Sequence, residues 1–126
     1  MNLMRDAINR SALSEPSLRA ASGHQQFRFA ENFPGFSGHF PGYPVLPAVL
    51  QTLLAQMLAE QLLGRQLRLK VLQQAKFSRQ IRPGELIHVD LQWRQQEELH
   101  RCQVVLRVDE ETAAQFVLLL EEGSVA

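Results

Sequence analysis

One histidine in this 126-residue chain lies in a segment suited to holding a fixed shape. Residues 38–47 read GHFPGYPVLP, so that His39 is flanked by glycines and followed by three prolines. Gly38 and Gly42 can adopt backbone angles that other residues avoid, whereas the prolines fix φ and lack an N–H donor. An imidazole held by such a loop can take up or release a proton, so His39 is a candidate acid or base.

The segment after this loop has the periodicity of a buried helix. Between Leu46 and Gly64, apolar residues recur at three and four positions: Val49, Leu50, Leu53, Leu54, Met57, Leu58 and Leu62. Pro47 is tolerated in a first helical turn, and a glycine such as Gly64 commonly ends a helix. The pattern predicts a helix of about four turns with a wide apolar face, most of which should be buried.

Alternating apolar and polar residues predict an antiparallel sheet beside this helix. Phe27 and Phe29 alternate with polar residues over 25–30. Four longer runs have strand character: Leu67–Gln80, Glu85–Gln95, Leu99–Val108 and Thr112–Glu121. We therefore predict an α+β fold, with one helix packed against a long antiparallel sheet in a domain of residues 24–122. An N-terminal arm or short helix over 1–23 should precede it.

Composition narrows the classes of function. The net charge is zero, and no apolar run is long enough to cross a membrane, so we expect a cytoplasmic protein that binds neither nucleic acid nor membrane. Cys102 is the only cysteine, which excludes an internal disulfide, and we predict neither a metal nor a cofactor. His24 is expected in a polar loop, His88 at the surface, and His100 in the core or at its rim.

The charges are distributed unevenly along the chain. Residues 61–84 contain six bases and no acid, whereas residues 85–122 contain nine acids and three bases. The basic segment could dock an acidic partner. Alternatively, it forms a solvated strand face whose charges are balanced by the neighbouring acidic strands. The sequence leaves both interpretations open.

Two motifs in the same order resemble those of a known enzyme family. Residues 38–47, followed by the apolar helix and then by AKFSRQIRPGE at 75–85, resemble the 3-hydroxyacyl-[acyl-carrier-protein] dehydratases, which have the hot-dog fold. The resemblance covers roughly Phe27 to Glu121. Residues 45–51 also resemble the shorter dehydratase-like proteins that are encoded in aryl-polyene pigment clusters.

The resemblance implies a sheet wrapped around the central helix, and a dimer with two sites at its interface. His39 would handle the proton at C2 of a 3-hydroxyacyl thioester, and the backbone N–H of Ala48 would polarise the thioester carbonyl. A carboxylate fourteen residues after the histidine, supplied by the partner's helix, would help the hydroxyl leave as water. This chain departs from the pattern, because Leu53 occupies that position and Ala48 replaces a glycine.

Neither polar residue further along the helix restores the acid. Relative to Leu53, Gln56 lies about 60° around the helix and about 4.5 Å along it, whereas Glu60 is nearly in line but about 10.5 Å away. Gln56 could position a hydroxyl or a water but cannot act as a general acid. Tyr43 could equally offer a hydroxyl or pack the loop. The resemblance implies substrate contacts at Phe40, Gly42, Tyr43, Leu46, Pro47, Leu53 and Gln56, and carrier contacts at Lys76, Arg79 and Arg82.

Two functions of different classes follow. The first is a dehydratase-like protein that acts on or binds acyl thioesters, carried on acyl carrier protein, in fatty acid or polyene synthesis. The second is a non-catalytic subunit that binds the carrier or pairs with an active homologue, which the leucine at position 53 favours. Either a homodimer or a heterodimer with a homologous hot-dog subunit is compatible with the sequence. A thioesterase is a third reading, for which the helix supplies no suitably placed carboxylate.

Overall fold

The computed structural model describes residues 2–37 and 42–123. Its helices and strands are α1 (Leu3–Ser11), β1 (Ser17–Arg19), β2 (Ser22–Phe27), a 3-10 turn (Pro34–Phe36), α2 (Ala48–Leu63), β3 (Leu67–Phe77), β4 (Ile87–Gln96), β5 (Leu99–Val108) and β6 (Glu111–Glu122). The strands form one antiparallel sheet in the order β1-β2-β4-β5-β6-β3. The predicted α+β arrangement, one helix against a long antiparallel sheet, is confirmed.

Helix α2 lies against the inner face of the sheet and forms the centre of the core. Leu54, Ala55, Leu58 and Ala59 are fully or almost fully buried. The helix begins at Ala48, after Pro47 in an extended conformation, and ends before Gly64, whose φ of +68° is in the left-handed region. The predicted end is confirmed, and the helix begins one residue after Pro47, which was predicted to mark its start.

Strands β2 and β3 end earlier than predicted, at points where the next backbone groups form hydrogen bonds outside the strand pairing. Strand β2 ends at Phe27, because the carbonyl of the buried Phe29 accepts a hydrogen bond from the Gly84 N–H rather than from a strand. Strand β3 ends at Phe77, since the next two N–H groups both donate to the Ala113 carbonyl. The third of the four longer runs, Leu99–Val108, coincides with β5.

The first residues of the chain are part of the same packed unit. Helix α1 buries Ala7 and Ile8 in the core, and strand β1 pairs with β2. The predicted short helix is therefore present, while the division of the chain at residue 23 stays a prediction. Among the described helices, none has the length and apolar character needed to span a membrane.

Candidate functional site

His39 and Phe40 lie outside the described residues, so their predicted roles stay predictions. The part of the loop that is described begins at Gly42, which is exposed and has φ of +79°. A side chain at this φ would be strained, which explains the glycine. The next residue, Tyr43, remains 44% exposed.

Tyr43 connects the two motifs on which the family resemblance depends. Its hydroxyl donates a hydrogen bond to Oε1 of Gln80, at 3.1 Å. The Arg82 guanidinium lies 4.0 Å from the centre of the tyrosine ring, in a cation–π contact. The first motif therefore meets the second at an exposed surface, and loop packing explains Tyr43 without a bound substrate.

The first turn of α2 presents unpaired donors at the surface. The N–H groups of Leu50 and Gln51 both donate to the Pro47 carbonyl, whereas within the described residues those of Ala48 and Val49 have no partner. Ala48 is exposed and Val49 is 70% exposed. Unpaired N–H groups and the positive end of the helix dipole both favour negative charge at this point. The geometry is compatible with the oxyanion role predicted for the Ala48 N–H.

Two hydrogen bonds hold the segment immediately before α2. The Leu46 N–H donates to the Ile81 carbonyl at 2.7 Å, and Nε2 of Gln51 donates to the Leu46 carbonyl at 3.1 Å. Leu46 is a core residue, only 3% exposed, so its predicted contact with substrate would require an acyl chain that reaches the core.

Gln51 was not among the predicted site residues. Its side chain is buried, and Oε1 has no hydrogen-bond partner in the structure. A buried amide beside the loop of a candidate site is a positioning group for Leu46. The signal in the sequence was a polar residue, Gln51, directly after Val49 and Leu50 in a first helical turn that is otherwise apolar.

Neither polar residue further along α2 is free to replace the missing acid. Leu53 is half-buried against the core. Gln56 uses its amide to donate to the Leu67 carbonyl at 2.9 Å. Both Glu60 oxygens bind Arg5, and one also accepts from the Leu67 N–H at 3.1 Å. This chain's own helix therefore holds no available proton donor beside Ala48.

A family model described as ApeI-like, ApeI dehydratase, matches residues 16–117. The chain belongs to the ApeI-like dehydratase family. The 3-hydroxyacyl-[acyl-carrier-protein] dehydratase FabZ of Bacillus licheniformis is 32% identical over 113 residues, which cover 83% of this chain and 77% of that protein. FabZ of Rickettsia bellii is 32% identical over 104 residues, covering 74% and 72%. The predicted resemblance to dehydratases is confirmed.

A solved structure supports the fold assignment of this ApeI-like chain. It is described as the dehydratase heterocomplex ApeI:P from Xenorhabdus doucetiae, and it matches with a TM-score of 0.73 at 23% identity. The match covers 88% of this chain and 96% of that one. The hot-dog fold is thus confirmed, and the chain is a 3-hydroxyacyl-acyl-carrier-protein dehydratase-like protein.

Most of the basic segment of this ApeI-like chain is balanced by acids on neighbouring elements. Glu121 and Glu122 of β6 pair with three of its bases: Arg65, Arg68 and Lys70. Arg79 contacts Glu85 at 2.7 Å and Glu111 at 3.0 Å, and these carboxylates, Glu85 foremost, raise the pKa of Arg79. For these residues the structure favours a balanced strand face over a docking surface.

The predicted carrier contacts therefore differ in availability. Arg79 is held by carboxylates on two loops, which argues against its proposed role. In the described part of the chain, Lys76 and Arg82 form no ion pair, and both are exposed. Their contact with a carrier stays a prediction.

The other histidines and the cysteine have structural environments. His100 lies in the core, where Nδ1 accepts from Trp93 Nε1 at 3.1 Å and Nε2 lies 3.0 Å from a Glu122 oxygen. Burial raises the pKa of Cys102 to about 12, so its thiol remains protonated. The prediction for His24 was wrong, because this residue lies in β2 and its Nδ1 is 2.8 Å from Asp90 Oδ1.

Proposed function

We propose that this chain is a subunit of a 3-hydroxyacyl-thioester dehydratase, with His39 as the base and the Ala48 N–H as the donor to the thioester oxygen. A homologous hot-dog subunit supplies the carboxylic acid that Leu53 cannot provide. The acyl group is carried by acyl carrier protein in the cytoplasm. The single observation that carries this proposal is the pair of unpartnered N–H groups at the exposed start of α2, directly after the histidine motif.

The chemistry divides between the two sides of the site. His39 removes the C2 proton, and the electrons of that C–H bond move towards the carbonyl, whose oxygen gathers negative charge beside the Ala48 N–H. The C2–C3 double bond then forms as the C3–O bond breaks. The leaving oxygen takes a proton from the acid, so that water departs rather than hydroxide. Oxyanion donors and general acids each contribute substantially to such reactions.

The open edge of the sheet supports assembly with a second subunit. Strand β3 pairs with β6 on one side only, and four large apolar side chains on it are 37–42% exposed: Leu69, Val71, Leu72 and Phe77. An exposed edge strand with apolar side chains favours pairing with another chain. A solved relative is itself described as a heterocomplex, which is consistent with a heterodimer here.

A non-catalytic role is the second candidate. Leu53 has no acid–base chemistry, and Glu60 is committed to Arg5 and to the Leu67 N–H. In this alternative, the chain binds the acyl carrier or completes the site of an active homologue without a reaction of its own.

The test is interconversion of 3-hydroxybutyryl and crotonyl thioesters on acyl carrier protein. The wild type, His39→Ala and Leu53→Glu are each assayed alone and with a homologous hot-dog subunit that carries the acid. We expect little turnover by the wild type alone, and turnover in the mixture that His39→Ala removes. A gain of activity in Leu53→Glu alone would show that only the acid is missing.

The two candidate functions predict different outcomes in this assay. If His39→Ala leaves the activity of the mixture unchanged, the chain contributes no base and the non-catalytic role is favoured. A wild type that is fully active alone would contradict the requirement for an acid from the partner. Silence of all variants and mixtures, together with normal folding, would leave only a binding role.

A further inference from the structure

A basic pocket whose described walls include no residue of α2 lies between α1 and the turn that follows β2. Its cavity has a volume of about 350 Å³. The residues that line it and matter here are Arg10, Ser11, Arg28, Asn32, Phe33 and Pro34. None of the described residues that line the pocket is acidic.

Backbone hydrogen bonds fix the two arginines on the same side of the molecule. The Arg28 N–H donates to the Ser11 carbonyl at 3.0 Å, and the neighbouring Leu13 N–H donates to the Gln26 carbonyl at the same distance. These bonds join the end of α1 to the end of β2. Arg10 precedes Ser11 in α1, and Arg28 follows the last residue of β2, so the two arginines line one cavity from opposite elements.

The third wall is rigid and apolar. The Phe33 ring is buried, with its centre 4.5 Å from that of Phe29 and 5.5 Å from that of Phe36. Pro34 begins the 3-10 turn that leads along the chain to the histidine motif at 38–47. Pro34, the last residue that lines the pocket, precedes the histidine motif by four positions in the sequence.

Neither arginine has a counter-ion in the part of the chain that the structure describes. The guanidinium groups of Arg5, Arg65, Arg68, Arg79 and Arg107 all pair with carboxylates. Arg10 and Arg28 form no such pair with any described acid, which is also true of Arg19, Arg82, Arg94 and Arg101. Arg10 and Arg28 are distinguished by lining the same cavity. The C-terminal end of α1 favours a base at Arg10. It does not account for Arg28, whose charge adds to that of Arg10 at the same cavity.

We infer that this pocket binds a phosphate group, namely the phosphodiester of the pantetheine arm that carries the acyl thioester. The inference rests on the proposed function for the identity of the arm. Arginine binds phosphate oxygens through two parallel N–H bonds, and Asn32 offers a neutral donor on the same cavity. The same phosphate occurs in acyl carrier protein and in coenzyme A, so both sources share this chemistry.

The test compares binding of pantetheine 4′-phosphate and of pantetheine by titration calorimetry, without any turnover. The proteins are the wild type, Arg10→Gln, Arg28→Gln, Arg28→Lys and the control Arg94→Gln. Arg94 is exposed on β4 and outside the pocket. We expect the phosphorylated compound to bind the wild type about 10- to 100-fold more tightly, because a charge-assisted hydrogen bond is lost without the phosphate.

Each Arg→Gln variant should lose most of that preference, Arg28→Lys should keep part of it, and Arg94→Gln should keep all of it. Equal binding of the two compounds by the wild type, or no binding of either, would overturn the inference. So would an unchanged preference in both Arg→Gln variants with native circular dichroism. Titration with coenzyme A and with holo-acyl carrier protein then compares the two sources. If the pocket recognises the shared phosphate, Arg28→Gln weakens the binding of both; if only one of them weakens, that one is the source of the phosphate.

This binding result is independent of catalysis. A wild type that prefers the phosphorylated arm but dehydrates nothing, either alone or mixed with the homologous subunit that carries the acid, would refute the enzymatic proposal and retain the phosphate site. Turnover that depends on His39 without any phosphate preference would do the opposite.

Discussion

The two ends of α2 differ in how completely their polar groups are paired. At the C-terminal end, the Gly64 N–H bonds the Glu60 carbonyl, the Glu60 side chain holds Arg5 and the Leu67 N–H, and Gln56 holds the Leu67 carbonyl. At the other end, the N–H groups of Ala48 and Val49 have no partner among the described residues, and both residues are exposed.

This difference separates stabilising polar groups from groups available for chemistry. The paired polar groups at the C-terminal end of α2 fix the helix against α1 and β3, and they leave few free hydrogen-bonding groups for a ligand. Unpaired donors on an exposed helix start can be satisfied by a ligand at no cost to the fold. The single acid of α2 lies at the first kind of end, which explains why it does not replace the carboxylate that is absent at Leu53.

The largest effect is expected at the open end. Ala48→Pro removes the N–H but keeps the helix, because proline is favoured at the first helical position and Pro47 already has the extended conformation that must precede it, with ψ of 150°. In the assembly that shows turnover, kcat should fall about 10²- to 10³-fold, the usual loss for an oxyanion donor.

Ala48→Ser is the matched control, since it retains the N–H and should retain most of the activity. The free energy of unfolding of Ala48→Pro, from urea titration, should stay close to the wild-type value. Full activity in the proline variant would show that the open end has no oxyanion role.

At the closed end, Glu60→Leu should destabilise the fold without affecting the chemistry. The change leaves the Leu67 N–H buried without a partner and releases Arg5, at a cost of about 2–3 kcal/mol. Urea unfolding monitored by circular dichroism measures this loss. Turnover per folded molecule should not change.

Glu60→Gln is the diagnostic variant for this residue. It keeps an acceptor for the Leu67 N–H and should therefore be destabilised less than Glu60→Leu. If Glu60→Gln instead abolished turnover at nearly wild-type stability, Glu60 would be the acid and the contrast between the two ends would fail.

A smaller effect is expected from Gly64→Ala. Gly64 has φ of +68°, and an added Cβ would meet no atom within 4 Å, so that only the backbone conformation is penalised. The expected loss in the free energy of unfolding is about 1–2 kcal/mol. Gly64→Asn should lose less, since asparagine tolerates this conformation better. An equal loss in both variants would point to a contact rather than to the backbone angle.

The smallest effect concerns pH and the exposed Glu122. Hydrogen bonds from Arg65, and then from His100, lower the pKa of Glu122 below its ordinary value. A lowered pKa contributes stability above the unfolded-state pKa of about 4.3, and this contribution is lost as the pH falls through the folded-state value. Glu122→Gln should therefore show a slightly shallower loss of stability below about pH 4.3 than the wild type. Parallel unfolding curves of the two proteins from pH 6 to pH 3 would contradict this.

Periodicity predicted strand β5 well because alternate residues along it, from His100 to Val108, are buried. Helix α2 is apolar on most of its surface, so its bounds followed from the extent of its apolar residues and from Gly64 rather than from a single buried face. The N-terminal residues were harder, since strand β1 has three exposed residues and exists through its pairing with β2. His24 was assigned to a loop because the residues around it are nearly all polar, although their burial alternates along β2.

Site features that depend on spacing within one motif or helix were predictable. Hydrogen bonds and ion pairs between residues on different elements were not. Position 53 and the helix start at Ala48 follow from spacing along one helix. The pairing of Arg79 with Glu85 and Glu111 could not be predicted, because Glu85 lies in a loop and Glu111 begins β6, and only the fold brings the two acids together. The buried amide of Gln51 was missed because its hydrogen bond to Leu46 depends on the path of the loop.

By itself, the sequence determined the family, the α+β architecture, the histidine motif and the absence of an acid at Leu53, because these are properties of residue type and spacing. Only the tertiary structure decided which charges are free. Four of the six bases that form one run in the chain are paired with acids on β6 and on two loops, while Arg10 and Arg28 line one pocket without an ion pair in the described residues. Electrostatic interactions depend on distances through space, and folding brings together groups that are far apart along the chain.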